Sequence, residues 1–119
     1  MELVKFEKLD VWKRAVRLSA EIFKGLRDLK DYGFKDQVTR SGLSIPSNIA
    51  EGIERSFPAD CVKFLLYAKG SCGELRTQIY IGMEINYIDR ELGREWIAET
   101  EAISSMLGGL IRTKRSRLQ

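Results

Sequence analysis

The sequence predicts an all-α protein: an up-down-up-down antiparallel four-helix bundle with a proline kink in helix 2. Three observations carry this. Apolar residues recur at steps of three and four along most of the chain. Strand signals are poor, with no sustained two-residue alternation and no Asn-Gly or Asp-Gly turn. The helical stretches, roughly 20–30 residues each, are joined by turns of a few residues, which makes chain neighbours antiparallel.

Each element has its own signal. Over residues 8–30, Leu9, Trp12, Val16, Ser19, Phe23 and Leu26 form one stripe. Val11, Ala15, Leu18, Ile22 and Leu29 form a second beside it. Together they exceed the single apolar stripe of a surface helix, so this helix is expected to touch more than one neighbour. Asp31-Tyr32-Gly33 reads as the turn, with Gly33 free to take the left-handed conformation that ends a helix. Phe34, Val38, Ile45, Ile49 and Ile53 carry the second helix to about residues 52–55. Ser56 is a candidate cap for the third, with Pro58 in its first turn, where a missing N–H costs little. Val62, Leu65, Leu66, Cys72, Leu75, Ile79 and Met83 extend that helix to about residue 87. Asp89 is the expected cap of the fourth, whose seam is Leu92, Trp96, Ile103, Leu107, Leu110 and Ile111. No internal repeat or long linker appears, so residues 1–119 read as one bundle domain ending in a short basic tail at 112–119.

The segment RSGLSIPSNIAEG, residues 40–52, interrupts this regularity. A helix running through Pro46 lacks a donor to the carbonyl of Gly42 and crowds it, at a usual cost of about 3 kcal/mol and a bend. The alternative is a break, with Ser44 capping a new helix. Because positions 34, 38, 45, 49 and 53 keep one face across the proline, the kinked helix is favoured over the break.

Composition excludes several function classes. The chain has no histidine, which removes the commonest general base, metal ligand and triad partner. No phosphate-binding glycine loop or metal-ligand motif is present, so no catalytic residue, metal or cofactor is assigned and a non-enzymatic protein is expected. Cys61 and Cys72 lie about 16 Å apart along one helix, too far for a disulfide within the chain, and read as small buried hydrophobes. No apolar run reaches the length of a membrane span, and MELVKFEKLD lacks a secretory signal, so a cytoplasmic protein is expected. The net charge is +3, yet Arg112, Lys114, Arg115 and Arg117 contribute +4 with no acid among them. That stretch suits nucleic-acid binding, and equally suits a solvated helix end whose cations complement the helix dipole.

The run DQVTRSGLSIPSNIAEGIERS followed by FLLYAKGSCGELRTQI resembles the bacterial four-helix-bundle family of 23S rRNA intervening sequence (S23) proteins. FEKLDVWKRAVRLSAEIF and MLGGLI extend the likeness over nearly the whole chain. Residues 41–42 depart from it, being Ser-Gly where the family usually shows Ala-Ala. The resemblance implies a bundle that assembles as a ring-like homopentamer. It also implies similarity to the accessory protein of diversity-generating retroelements, a basic pentameric barrel that binds nucleic acid and a reverse transcriptase.

Arg40, Ser44, Asn48 and Glu51 share a helix face at steps of three and four, and Glu74 is the polar residue of the second motif segment. With Pro46 and Gly52 they are the expected structural motif or interface. Arg40 is expected to pair with Glu51 or Glu74 and clamp the kinked helix to its neighbour or to the next subunit, while Asn48 or the serines satisfy carbonyls around the proline. A ligand site on that face is the less favoured reading. Gly70, Ser71, Cys72 and Gly73, with Ala68, read as a small-residue patch for close helix approach, as do Gly108 and Gly109. Lys13, Arg17, Lys24 and Arg27 are expected to pair with Asp10, Glu21 and Asp28 along their own helix. The resulting functional expectation is a homo-oligomer, a pentamer by resemblance, presenting Arg112, Lys114, Arg115 and Arg117 to RNA or DNA. By family analogy the resemblance also implies a protein partner such as a reverse transcriptase. The alternative is a protein-binding scaffold that does not bind nucleic acid.

Overall fold

The structure, a computed structural model, describes residues 5–117. After a single 3-10 turn over Phe6–Lys8, four helices follow: α1 Asp10–Gly25, α2 Tyr32–Glu54, α3 Pro58–Glu84 and α4 Arg90–Ser116. They form the expected up-down-up-down bundle, 48 × 21 × 19 Å. Paired side chains along the α2–α3 and α3–α4 seams show the alternation. Ser41 and Ser44 of α2 meet Glu74 and Ser71 of α3. Lys69 and Arg76 of α3 meet Ser104 and Thr100 of α4. Arg14 of α1 meets Glu99 and Met106 of α4. Each helix packs on its chain neighbours, α1 closes the ring against α4, and the diagonal pairs stay apart.

The core runs the length of the bundle. Leu18, Ile22, Val38, Ile45, Ile49, Leu65, Leu75, Ile79, Ile103 and Leu107 are among its fully buried members. Of the two stripes on α1, Val11, Ala15, Leu18 and Ile22 are buried, whereas Val16 and Phe23 of the other are 38% and 48% exposed. A lone chain therefore leaves part of the first stripe in solvent. Cys61 and Cys72 are both buried and free, and burial pushes the Cys72 thiol up to about 11.

The helix ends differ from the expected ones in three places. α1 stops at Gly25, short of residue 30, and the indole of Trp96 packs beside that glycine. Gly33 is not a left-handed cap; it lies in the first turn of α2, where Asp31 is the N-cap and accepts from the Phe34 amide at 3.1 Å. Ser56 does not cap α3, whose N-cap is Phe57 with no side-chain hydrogen bond, although Pro58 does occupy the first turn. Asp89 caps α4 as expected, accepting from Glu91 and Leu92 amides at 3.1 and 3.3 Å. α3 closes at Glu84 through Asn86, which takes the left-handed conformation at φ 64°, while the Tyr87 amide returns to the Gly82 carbonyl at 2.8 Å. An asparagine does here what glycine usually does.

The glycine patch on α3 also needs correction. A Cβ placed on Gly70 or Gly73 meets nothing within 4 Å, so no helix of this chain approaches there. Mid-helix glycine costs about 1 kcal/mol relative to alanine with nothing here to offset it. Gly70→Ala and Gly73→Ala are each expected to stabilise the folded chain by up to about 1 kcal/mol, read as a rise in the urea midpoint at unchanged slope. Gly108 and Gly109 likewise face mainly the Arg112 side chain, with only the end of Lys69 arriving from another helix.

Candidate nucleic-acid interface

The proline segment forms a polar seam between α2 and α3. α2 passes through Pro46 without a break, as the unbroken apolar phase suggested. Around the missing donor, side chains serve nearby carbonyls: the Ser44 hydroxyl donates to the Ser41 carbonyl at 3.0 Å, and Asn48 Nδ2 to the Ser44 carbonyl at 2.9 Å. Ser44 Oγ also lies 2.7 Å from Ser71 Oγ on α3, and Ser41 Oγ donates to Glu74 Oε1 at 2.9 Å. Ser44, Asn48 and Glu74 thus share one half-buried network that ties α2 to α3.

Arg40 is not part of it. Its side chain is 77% exposed and pairs with Asp36 on its own helix at 3.0 Å, because that carboxylate is one turn away while Glu74 is held by Ser41. Glu51 likewise pairs with Arg55 at 2.5 Å rather than with Arg40. Arg55 in turn lies over the Phe64 ring, 4.7 Å from its centroid, so Glu51 still helps to fasten the end of α2 to α3. Gly52 sits beneath this contact, with the Cys61 carbonyl 3.1 Å from where a Cβ would be. The segment therefore fastens α2 to α3, and Ser41 and Ser71 are the members that sequence reasoning missed. Ser41 stood out there only as a departure from alanine.

The α1 cations do not form the expected pairs with Asp10, Glu21 and Asp28. Among the described residues the α1 cation in an ion pair is Arg14, whose Nε and Nη2 reach Glu99 of α4 at 2.9 and 2.6 Å. An exposed pair along a helix gains only a few tenths of a kcal/mol, so closeness in sequence does not by itself fix one: Arg40 and Asp36 pair, and the expected α1 pairs do not form. The Arg14 hydrogen bond holds the Glu99 carboxyl below its ordinary value of 4.5. The Phe34 amide first, and then the Tyr87 hydroxyl at 2.9 Å, hold Asp31 below its ordinary 3.8. A carboxylate depressed in the folded state stabilises above its unfolded pKa and loses that contribution as pH falls through the folded one. Thermal stability is thus expected to drop as pH is lowered below about 4.5, and Arg14→Gln to flatten the melting-temperature profile over that range.

The basic stretch is not a separate tail. Residues 112–116 are the last turns of α4 and Arg117 is its C-cap, while residues 118–119 lie outside the described part. Arg112, Arg115 and Arg117 are exposed and Lys114 is half-buried. Lys114 and Arg115 occupy the turn where cations complement the helix dipole, so one of the two roles open to them is met by the fold itself. None of the four pairs with a carboxylate among the described residues, where the ion pairs are Arg14–Glu99, Arg40–Asp36 and Arg55–Glu51. Burial pushes the Cys61 thiol up, and the charges of Lys114 and Arg117 offset this in part.

The family model of the 23S rRNA-intervening sequence protein matches residues 7–109. The chain belongs to that family. A solved structure from Bacteroides thetaiotaomicron, a protein of unknown function from the S23 ribosomal protein family, is similar over 85% of this chain and 97% of that one. The two share 25% sequence identity with a TM-score of 0.80. No curated protein matches the chain. The matched span of the 23S rRNA-intervening sequence family contains the whole polar seam but stops before Arg112. Membership therefore accounts for the bundle and its α2–α3 fastening, and the four terminal cations stand on their own chemistry. Among the described residues no helix is long and apolar enough to cross a membrane.

Proposed function

We propose that this protein is a non-enzymatic, cytoplasmic, self-associating bundle that presents a basic surface to RNA or DNA. The homopentamer implied by resemblance is the proposed assembly, and a protein partner such as a reverse transcriptase is the proposed companion. The observation that carries the reading is the cluster of Arg112, Lys114, Arg115 and Arg117 at the end of α4, unpaired with any carboxylate among the described residues. Phosphates are the natural counter-charge for such a cluster, and repetition in an oligomer multiplies it. Exposed Val16 and Phe23 on α1, Leu43 on α2 and Leu66 and Ile81 on α3 support self-association.

Titration of labelled RNA and DNA over a salt series tests this, comparing the native chain with a variant carrying Gln at all four cations. The glutamine variant keeps the helix, which a truncation would shorten. The native chain is expected to bind with a steep salt dependence, and the variant's slope to be shallower by about 3 if all four cations engage phosphates. Equally weak binding by both favours the scaffold alternative, which the exposed apolar residues also suit. Mass photometry reads the assembly, and a strictly monomeric chain overturns the self-association.

A further inference from the structure

The basic surface does not end at Arg112. Its Nη1 lies 3.6 Å from where a Cβ of Gly108 would sit, and Cε of Lys69 on α3 lies 3.9 Å from the same point. Two cations from different helices thus converge on surface that a glycine leaves bare. Lys69 Nζ donates to Ser104 Oγ on α4 at 3.0 Å. Two turns further along α3, about 10.5 Å, Arg76 Nε donates to Thr100 Oγ1 at 3.0 Å. Thr100 is buried and donates its own proton to the Ile97 carbonyl at 2.6 Å, so its oxygen is fixed as an acceptor for Arg76.

These hydroxyls position the cations without neutralising them. Lys69 and Arg76 keep most of their donors open, and neither has a carboxylate partner among the described ion pairs. Glu99 and Glu101 flank Thr100 on α4: Glu99 is held by Arg14, Glu101 lines the adjoining groove with Tyr80, Glu84 and Arg94, and neither pairs with Arg76 among the described ion pairs. Like charges aligned without counter-charge favour a polyanion over the free chain. Holding them in place beforehand reduces the ordering cost of binding.

We infer that the α3–α4 seam, through Lys69, Arg76 and Arg112, is a track for the phosphodiester backbone of a nucleic acid. It rests on the reading above and extends that site from the end of α4 up along α3. Each cation supplies an N–H to a phosphate oxygen, and the register along the seam is set by Ser104 and Thr100. The contacts address backbone charge and carry no base readout.

The test compares three full-length proteins by fluorescence anisotropy over a salt series: the native chain, Lys69→Gln/Arg76→Gln, and Arg115→Gln/Arg117→Gln. The probes are single-stranded RNA, single-stranded DNA and duplex DNA of one length, which separate the sources of phosphate. The seam variant is expected to bind more weakly than the native chain, with a salt slope shallower by about 1.4 on single strands or about 1.8 on duplex. If only the Arg115/Arg117 variant loses slope, the seam inference is overturned while the proposed function stands. If the native chain binds no probe, the proposed function fails and the inference with it. Poly-glutamate competing as well as polynucleotide at equal charge overturns the assignment to phosphate and makes the seam an acidic-protein surface. Because Arg76 serves a buried threonine, thermal melts accompany each variant; Lys69→Gln alone, which leaves that bond intact, is expected to lose about 0.7–0.9 of slope.

Discussion

Trp96→Ala is expected to destabilise the bundle by about 3–5 kcal/mol, lowering the melting temperature by roughly 12–20 °C for a domain of this size. Trp96 is 2% exposed and is the largest of the deeply buried side chains. Its indole crosses from α4 to the end of α1, where a Cβ on Gly25 would lie 2.7 Å from its ring. Removing it opens a cavity at the join where α1 closes the bundle against α4. The neighbours cannot collapse into that space without moving helix ends. The indole N–H is buried and meets no acceptor among the described residues. Phenylalanine at this position sheds an unpaired donor worth about 1–3 kcal/mol while keeping much of the ring. Trp96→Phe is therefore expected to cost far less than Trp96→Ala in a thermal melt. Comparable losses for both would mean that a phenyl ring cannot replace the indole against Gly25.

Trp96 also shows what the sequence could and could not convey. Its place on an apolar stripe was legible from spacing alone, but its partner was not, since a glycine at the end of α1 gives no periodic signal. The same division runs through the fold. Helix number, order and the unbroken passage through Pro46 follow from apolar phase, a local property. The ends of helices turn on competition between nearby groups: Asp31 reaches the Phe34 amide and takes the capping role from Gly33's neighbourhood, and Asn86 makes the left-handed closure that the sequence did not flag. The polar seam was half legible. Ser44, Asn48 and Glu74 meet as a network, but Arg40 is drawn to Asp36, one turn away, and Ser41 takes Glu74 instead. Gly70 and Gly73 suggested close packing because glycine is costly in a helix; the fold turns them outward. Lys69 and Arg76 did carry a local sign, for neither has an acid three or four residues away. Only the tertiary structure shows that they face α4, with Lys69 beside Arg112.

Gly52→Val is expected to destabilise the chain by about 1–3 kcal/mol, the usual penalty of overpacking. Where most substitutions in the motif segment would remove a contact, this one adds atoms. A Cβ at residue 52 would lie 3.1 Å from the Cys61 carbonyl, 3.2 Å from Phe64 Cβ and 3.6 Å from Leu65 Cγ. Two of those are backbone or its first side-chain atom, which move only if α3 moves. Valine adds two further carbons to that gap, and its stiff χ1 offers few alternative rotamers. The end of α2 must then lift from α3, which separates Arg55 from the Phe64 ring and frees Glu51 with it. By contrast, Gly70→Val lies on open surface and is expected to stay within about 0.5 kcal/mol of the native chain. Urea denaturation of the two variants side by side distinguishes contact from propensity: the same residue change, on helices of the same bundle, differs only in what the new carbons meet. Equal midpoints would mean that α2 can withdraw from α3 at residue 52 without loss, and that the family's Glu-Gly step is not a packing requirement.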